Sequence, residues 1–120
     1  MPLLGYQKEF AALVEFFIKR QTVRATRKRP FKAGDRLYHY SGLRTKQCRK
    51  LLETDCISVA DILIDKKGDV YIDGRCMFES MKESFAFADG FRPLGEAWAR
   101  MLEFVKMNHG LPFKGQLIKW

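Results

Sequence analysis

Leu94, Ala97, Trp98, Met101, Leu102 and Val105 recur at spacings of 3, 1, 3, 1 and 3. Only an α-helix brings positions so spaced onto one face. The stripe predicts a helix opened by Pro93, whose missing N–H is harmless in a first turn, and stopped at Asn108-His109-Gly110 with Pro112 beyond. A helix apolar along one stripe must find a partner surface, and the rest of the chain offers only short pieces. Phe10, Leu13, Val14 and Phe17 fall at i, i+3, i+4 and i+7 and predict a helix over 8–18. Residues 79–88 predict another. Alternating or β-branched segments predict strands over 21–26, 36–41, 56–64, 69–72 and 116–120. Lys66-Lys67-Gly68 serves as a hairpin turn between the third and fourth. Helix, strands, helices and a closing strand predict an α+β fold. Its small curved sheet would be mostly antiparallel, of about five to six strands, flanked by two to three helices. At 120 residues the chain suits one domain, 1–120, with one core.

Charge is segregated. Residues 19–50 hold twelve Lys or Arg and one acid, Asp35, for a net +11, whereas the other 88 residues carry −3. Such a field concentrates polyanions, of which nucleic acid is the commonest. Tyr38, Tyr40 and Phe31 lie in or beside this window and could stack on bases.

Several classes are excluded or disfavoured. No apolar run approaches the ~20 residues of a membrane span, so no membrane partner is expected. Lys8 and Glu9 interrupt any leader-like stretch, and Cys48, Cys56 and Cys76 form neither an even set nor a C-x-x-C pair. A reducing cytoplasm, no disulfide and no zinc site are the expectation. His39 and His109 are 70 positions apart without a ligand cluster, and read as surface or half-buried histidines. No phosphate loop, G-x-G-x-x-G or H-E-x-x-H occurs, so neither metal nor cofactor is expected. Cys48 sits among Arg44, Lys46, Arg49 and Lys50, which would favour its thiolate, but reads more simply as a small buried residue.

Two segments can carry chemistry. In Lys19-Arg20-Gln21-Thr22-Val23-Arg24, a strand would put Thr22 and Arg24 on one face, with Lys19 able to join them from the helix–strand junction. An amine, a hydroxyl and a guanidinium could then bind a phosphate or an acyl oxygen. Arg24 and its neighbours would also depress the Lys19 amine toward a base. Taken by itself, the segment reads first as an exposed basic strand edge. Asp89-Gly90-Phe91 lies between two helical stretches. It reads either as an acid aimed by a glycine turn, or as a helix stop with Asp89 capping the next helix.

These pieces, in this order, resemble ASCH domains of the PUA-like superfamily over nearly the whole chain. The resemblance is carried by an amphipathic helix leading into Lys19-x-x-Thr22-x-Arg24, then Gly34-Asp35 before a strand, then Ser41-Gly42-Leu43-Arg44-Thr45 followed by Cys48. Ala86-x-x-Asp89-Gly90-Phe91, a long helix and Phe113-x-Gly115-x-Leu117-Ile118-x-Trp120 complete it. It implies a small β-barrel with a cleft lined by the Lys-x-x-Thr-x-Arg segment, and RNA or nucleotide-type ligands. One branch removes the acetyl group of N4-acetylcytidine with a Lys, a Thr and a distant Glu. Those roles fall here on Lys19, Thr22 and Asp89, with Arg24 matching the family's Arg. Phe17 stands where the family often has Gly, and the distant acid is Asp rather than Glu.

Two functions follow as expectations. The first is an RNA- or nucleotide-binding module, monomeric, with Arg24, Arg27, Arg29 and Arg44 on phosphates and Tyr38 and Tyr40 on bases. The second is an amidohydrolase of modified nucleosides. There Lys19 is the base, Thr22 the nucleophile or water-orienting hydroxyl, Asp89 the partner of Lys19, and Arg24 the support of a developing oxyanion. RNA cleavage in the same cleft is a third.

Overall fold

The computed structural model describes residues 2–120. In chain order these form β1 (Leu3–Tyr6), α1 (Lys8–Glu15), β2 (Gln21–Ala25), β3 (Arg36–Ser41), β4 (Arg49–Asp55), β5 (Ser58–Ile64), β6 (Val70–Ile72) and β7 (Arg75–Cys76). A 3-10 turn (Glu79–Met81), α2 (Lys82–Ala88), α3 (Ala97–Asn108) and β8 (Phe113–Lys119) follow. The fold is α+β. One sheet has the order β1-β3-β4, the other β2-β8-β5-β6-β7, and every pairing but β1–β3 is antiparallel.

The two sheets are joined on both sides. On one side the chain runs from β4 into β5 through Cys56-Ile57. On the other the Arg24 guanidinium, from β2 at the edge of the larger sheet, donates to the Gly5 carbonyl of β1 at the edge of the smaller, 2.7 Å away. β8 lies between β2 and β5 and is buried along nearly its whole length. Ile118 and Trp120 pack with Leu4, Val14 and Leu37 in one core cluster. Phe113 packs with Ile62, Ile64, Val70 and Val105 in another. Gln116 ties the basic loop down: its side-chain amide accepts from Phe31 N–H and donates to Phe31 C=O, each at 2.9 Å.

Four expectations need correction. Strands β1, β4 and β7 were not legible, giving eight strands rather than five to six. β4 (RKLLETD) has one β-branched residue and is held by its pairing with β3. The first helix stops at Glu15, so Phe17 leaves the apolar face and is 54% exposed. Pro93 does not open a helix. It lies in a turn closed by Glu96 N–H on Pro93 C=O, and α3 begins at Ala97. Its cap is not Asp89 but the Glu83 carboxylate of α2, which accepts from Gly95, Ala97 and Trp98 N–H at 2.8–3.2 Å. Lastly, His39 is fully buried. Its Nδ1 bonds the Tyr6 hydroxyl at 3.0 Å and its Nε2 the Thr54 hydroxyl at 2.7 Å, with the Trp120 ring centroid 4.5 Å away. Among the described residues no helix is long and apolar enough to cross a membrane.

Two predictions follow from the core. A Cβ at Gly115 would lie 2.2 Å from the Arg24 carbonyl on the neighbouring strand. Gly115→Ala is expected to lower the unfolding free energy by about 3 kcal/mol, measured by urea denaturation. Burial and the Arg24 charge push the His39 imidazole down from 6.5 to about 4. Between those values the unfolded chain binds a proton that the folded chain refuses. This contribution, about 3 kcal/mol, is therefore present above pH 6.5 and lost as pH falls toward 4. In a pH series of denaturation curves, His39→Gln should flatten that decline.

Candidate functional site

The turn after α1 delivers Lys19 to the interior. Phe17 takes a left-handed backbone, φ 61°. Phe17 N–H then bonds Val14 C=O, while the N–H groups of Ile18 and Lys19 both bond Leu13 C=O. The chain reverses, Lys19 points inward and is 3% exposed, and β2 starts in register with β8, Thr22 opposite Ile118 and Arg24 opposite Gln116. Period two then places Thr22 and Arg24 side by side, and Arg24 Nε donates to Thr22 Oγ1 at 3.0 Å.

Asp89 reaches the same place from the end of α2. Its carboxylate lies 3.5 Å from Lys19 Nζ, and it is 5% exposed. The amine also donates to the backbone carbonyls of Asp89 and, at 2.7 Å, Gln21. Gly90 makes the approach possible. It has φ +107°, and a Cβ there would lie 2.8 Å from the Phe10 ring and 3.1 Å from the Lys19 side chain. Gln21 Nε2 lies 3.4 Å from Asp89 Oδ1, within reach to donate.

All four residues line one cavity of about 350 Å³. Its polar floor is Lys19, Thr22, Arg24 and Asp89, and its apolar wall includes Tyr6, Phe10, Phe91 and Phe104. Phe10, Phe91 and Phe104 meet edge to face at centroid separations of 5.2, 5.6 and 6.4 Å. The Arg24 guanidinium sits 5.0 Å from the Tyr6 ring centroid. Burial pushes the Lys19 amine down and the Asp89 carboxyl up, while each partner's charge opposes the shift of the other. Nζ donates to two backbone carbonyls with the Asp89 carboxylate at ion-pair distance, a geometry that suits a charged pair.

The remaining expected residues lie elsewhere. Arg27, Arg29 and Arg44 are exposed and do not line the cavity. Arg27 stacks on Phe31, 3.9 Å from the ring centroid, and donates to Arg29 C=O. Phe31 itself is 5% exposed, so it cannot stack on a base. Tyr38 and Tyr40 are half-buried on the face of β3 opposite Leu37 and His39, and Lys50 lies over Tyr38. Cys48 is exposed rather than buried. Among the described residues no group of three or more His, Cys, Asp and Glu is placed to hold a metal.

No protein-family model, curated protein or solved structure matches this chain. The resemblance to ASCH domains therefore rests on the chain's own residues.

Gln7, Asn108 and His109 also line the cavity, from the turn before α1 and the end of α3. Sequence reasoning took Asn108 and His109 as a helix stop, with His109 a surface or half-buried histidine. No local signal distinguishes a helix stop that faces a cavity from one that faces water. A second buried lysine, Lys82, lies apart from the cavity. It pairs with Glu79 at 2.7 Å and Asp69 at 3.5 Å beneath Trp98.

Removing one member of the Lys19–Asp89 pair strands the other in the interior. Asp89→Ala is expected to cost about 3–5 kcal/mol in denaturant melts, and a double variant, Lys19→Met with Asp89→Leu, to recover most of that loss.

Proposed function

We propose that the chain is an RNA- or nucleotide-binding module whose cavity takes one nucleoside unit, with the surrounding cationic surface engaging phosphates. The observation that carries this reading is the convergence of Lys19, Thr22, Arg24 and Asp89 on a single cavity walled by aromatic rings. A volume of about 350 Å³ suits one nucleoside and is too small for a folded polymer. Aromatic walls accept the π-face of a base, and the polar floor supplies donors and acceptors for its edge or sugar. Arg27, Arg29 and Arg44 are exposed and add positive charge outside the cavity. The left-handed backbone at Phe17, where ASCH domains often carry Gly, is consistent with the resemblance. A cytoplasmic setting and a monomer belong to the same reading.

A second reading is supported by one further observation. A buried amine, its carboxylate and a threonine hydroxyl share the cavity, as deacetylation of an N4-acetylcytidine-type amide would need. Thr22 Oγ1 accepts from Arg24 Nε, which favours an oxygen carrying more negative charge, and Arg24 is placed to steady an oxyanion. Against it stands Lys19, whose Nζ already donates to two backbone carbonyls with the Asp89 carboxylate 3.5 Å away. Binding is therefore the primary reading. Ribonuclease activity has no observation of its own in its favour.

Binding of a labelled oligouridylate should weaken steeply with salt, log Kd against log [salt] rising by roughly 0.7 per phosphate contact. Cytidine or uridine monophosphate should compete for the cavity. Absence of any oligonucleotide or nucleotide binding at low salt would sink the reading. Incubation with N4-acetylcytidine, followed by chromatography, tests the second: turnover that disappears in Lys19→Ala and Thr22→Ala would move the assignment to an amidohydrolase.

A further inference from the structure

Phe16, Phe17 and Ile18 are three consecutive large apolar residues, 71%, 54% and 59% exposed. They are not a frayed end. The backbone bonds from Phe17, Ile18 and Lys19 back to Leu13 and Val14 hold the turn rigidly. Phe17 sits at φ 61°, a region that a bulky aromatic residue rarely occupies and that glycine occupies freely. Folding alone would favour glycine there and polar groups on either side. The ring instead projects to solvent, with the Arg20 guanidinium 5.9 Å from its centroid.

We propose that Phe16 and Phe17, with Arg20, form a base-stacking platform for single-stranded RNA on the turn between α1 and β2. This rests on the nucleotide-binding reading and adds to it a subsite outside the cavity. The aromatics expected to stack are otherwise engaged: Phe31 is buried under Arg27, and Tyr38 and Tyr40 are half-buried on the β3 sheet. Phe16 and Phe17 are the exposed aromatics bordering the cationic window. Lys19, two residues beyond Phe17, lines the cavity, so one short turn presents Phe17 to solvent and Lys19 to the interior. A second copy of the chain is a poor occupant, because each copy carries a net charge of +8.

The test uses the full chain and a fluorescein-labelled 12-mer of uridylate, with affinity measured by anisotropy across a salt series. Phe16→Ala with Phe17→Gly should melt no lower than the wild type, since glycine suits the left-handed backbone. Its affinity should fall on the order of tenfold or more with the salt slope unchanged, because stacking is lost and phosphate contacts are kept. Phe17→Trp should retain binding. Arg27→Ala with Arg29→Ala should do the opposite, lowering the salt slope by about 1.4. Wild-type affinity in the Phe16→Ala, Phe17→Gly variant would overturn the platform while leaving the cavity reading intact. Failure of the wild type itself to bind the oligomer would overturn the nucleotide reading, and the platform with it. Loss of binding confined to vesicles containing phosphatidylglycerol, with oligomer affinity unchanged, would reassign the turn to an anionic membrane surface.

Discussion

The buried pairing of Lys19 with Asp89 organises this molecule. Lys19 comes from the turn between α1 and β2, its carboxylate partner Asp89 from the end of α2, and two backbone carbonyls complete its shell. Charges taken out of water are costly unless paired and hydrogen-bonded, so the pair fixes where these two distant segments meet. The cavity is the space left beside that junction. Gly90 is what permits it, because any side chain there would collide with Phe10 and push Lys19 away.

The sheets are arranged around the same junction. β8 is the central element: it pairs with β2 on one side and β5 on the other, and its Gln116 holds the basic loop through Phe31. Arg24 has three roles. It donates to Gly5 and so joins the edges of the two sheets, it donates to Thr22, and it lies over Tyr6. Tyr6 in turn bonds His39, so the cavity wall continues into the fully buried Tyr6–His39–Thr54 chain. A change at Arg24 would disturb the contact between the sheet edges and the cavity chemistry together.

Much of the frame was legible in local sequence. The stripe ending at Val105, the β-branched run at Thr22-Val23 and the Lys66-Lys67-Gly68 hairpin each obey a short-range rule; β2 and the β5–β6 turn lie where those rules put them, and so does α3 from Ala97 to its end. The misses share a cause. β1 and β4 are strands because a neighbour supplies hydrogen bonds, not because their residues prefer extension. α3 starts at Ala97 because Glu83, fourteen residues earlier, caps it from another helix. Phe17 escapes its helix because the chain must turn to bury Lys19. In the site, Lys19, Thr22 and Arg24 could be grouped from period two and proximity in sequence. Bringing Asp89 to them, across 70 residues, was implied only by resemblance.

The sequence by itself determined the α+β class, the concentration of positive charge in residues 19–50 and the sharing of one strand face by Thr22 and Arg24. Those properties depend on residue types and on periods of two and 3.6, which are local. Only the tertiary structure decided that the charge window splits in two, with Lys19 and Arg24 turned into the cavity and Arg27, Arg29 and Arg44 turned out. It likewise decided that, of the aromatics in or bordering that window, the exposed ones are Phe16 and Phe17 rather than Phe31, Tyr38 and Tyr40. The physical reason is that burial is a property of packing between distant segments. Whether a side chain meets water, a ring or a carboxylate depends on what the rest of the chain places against it.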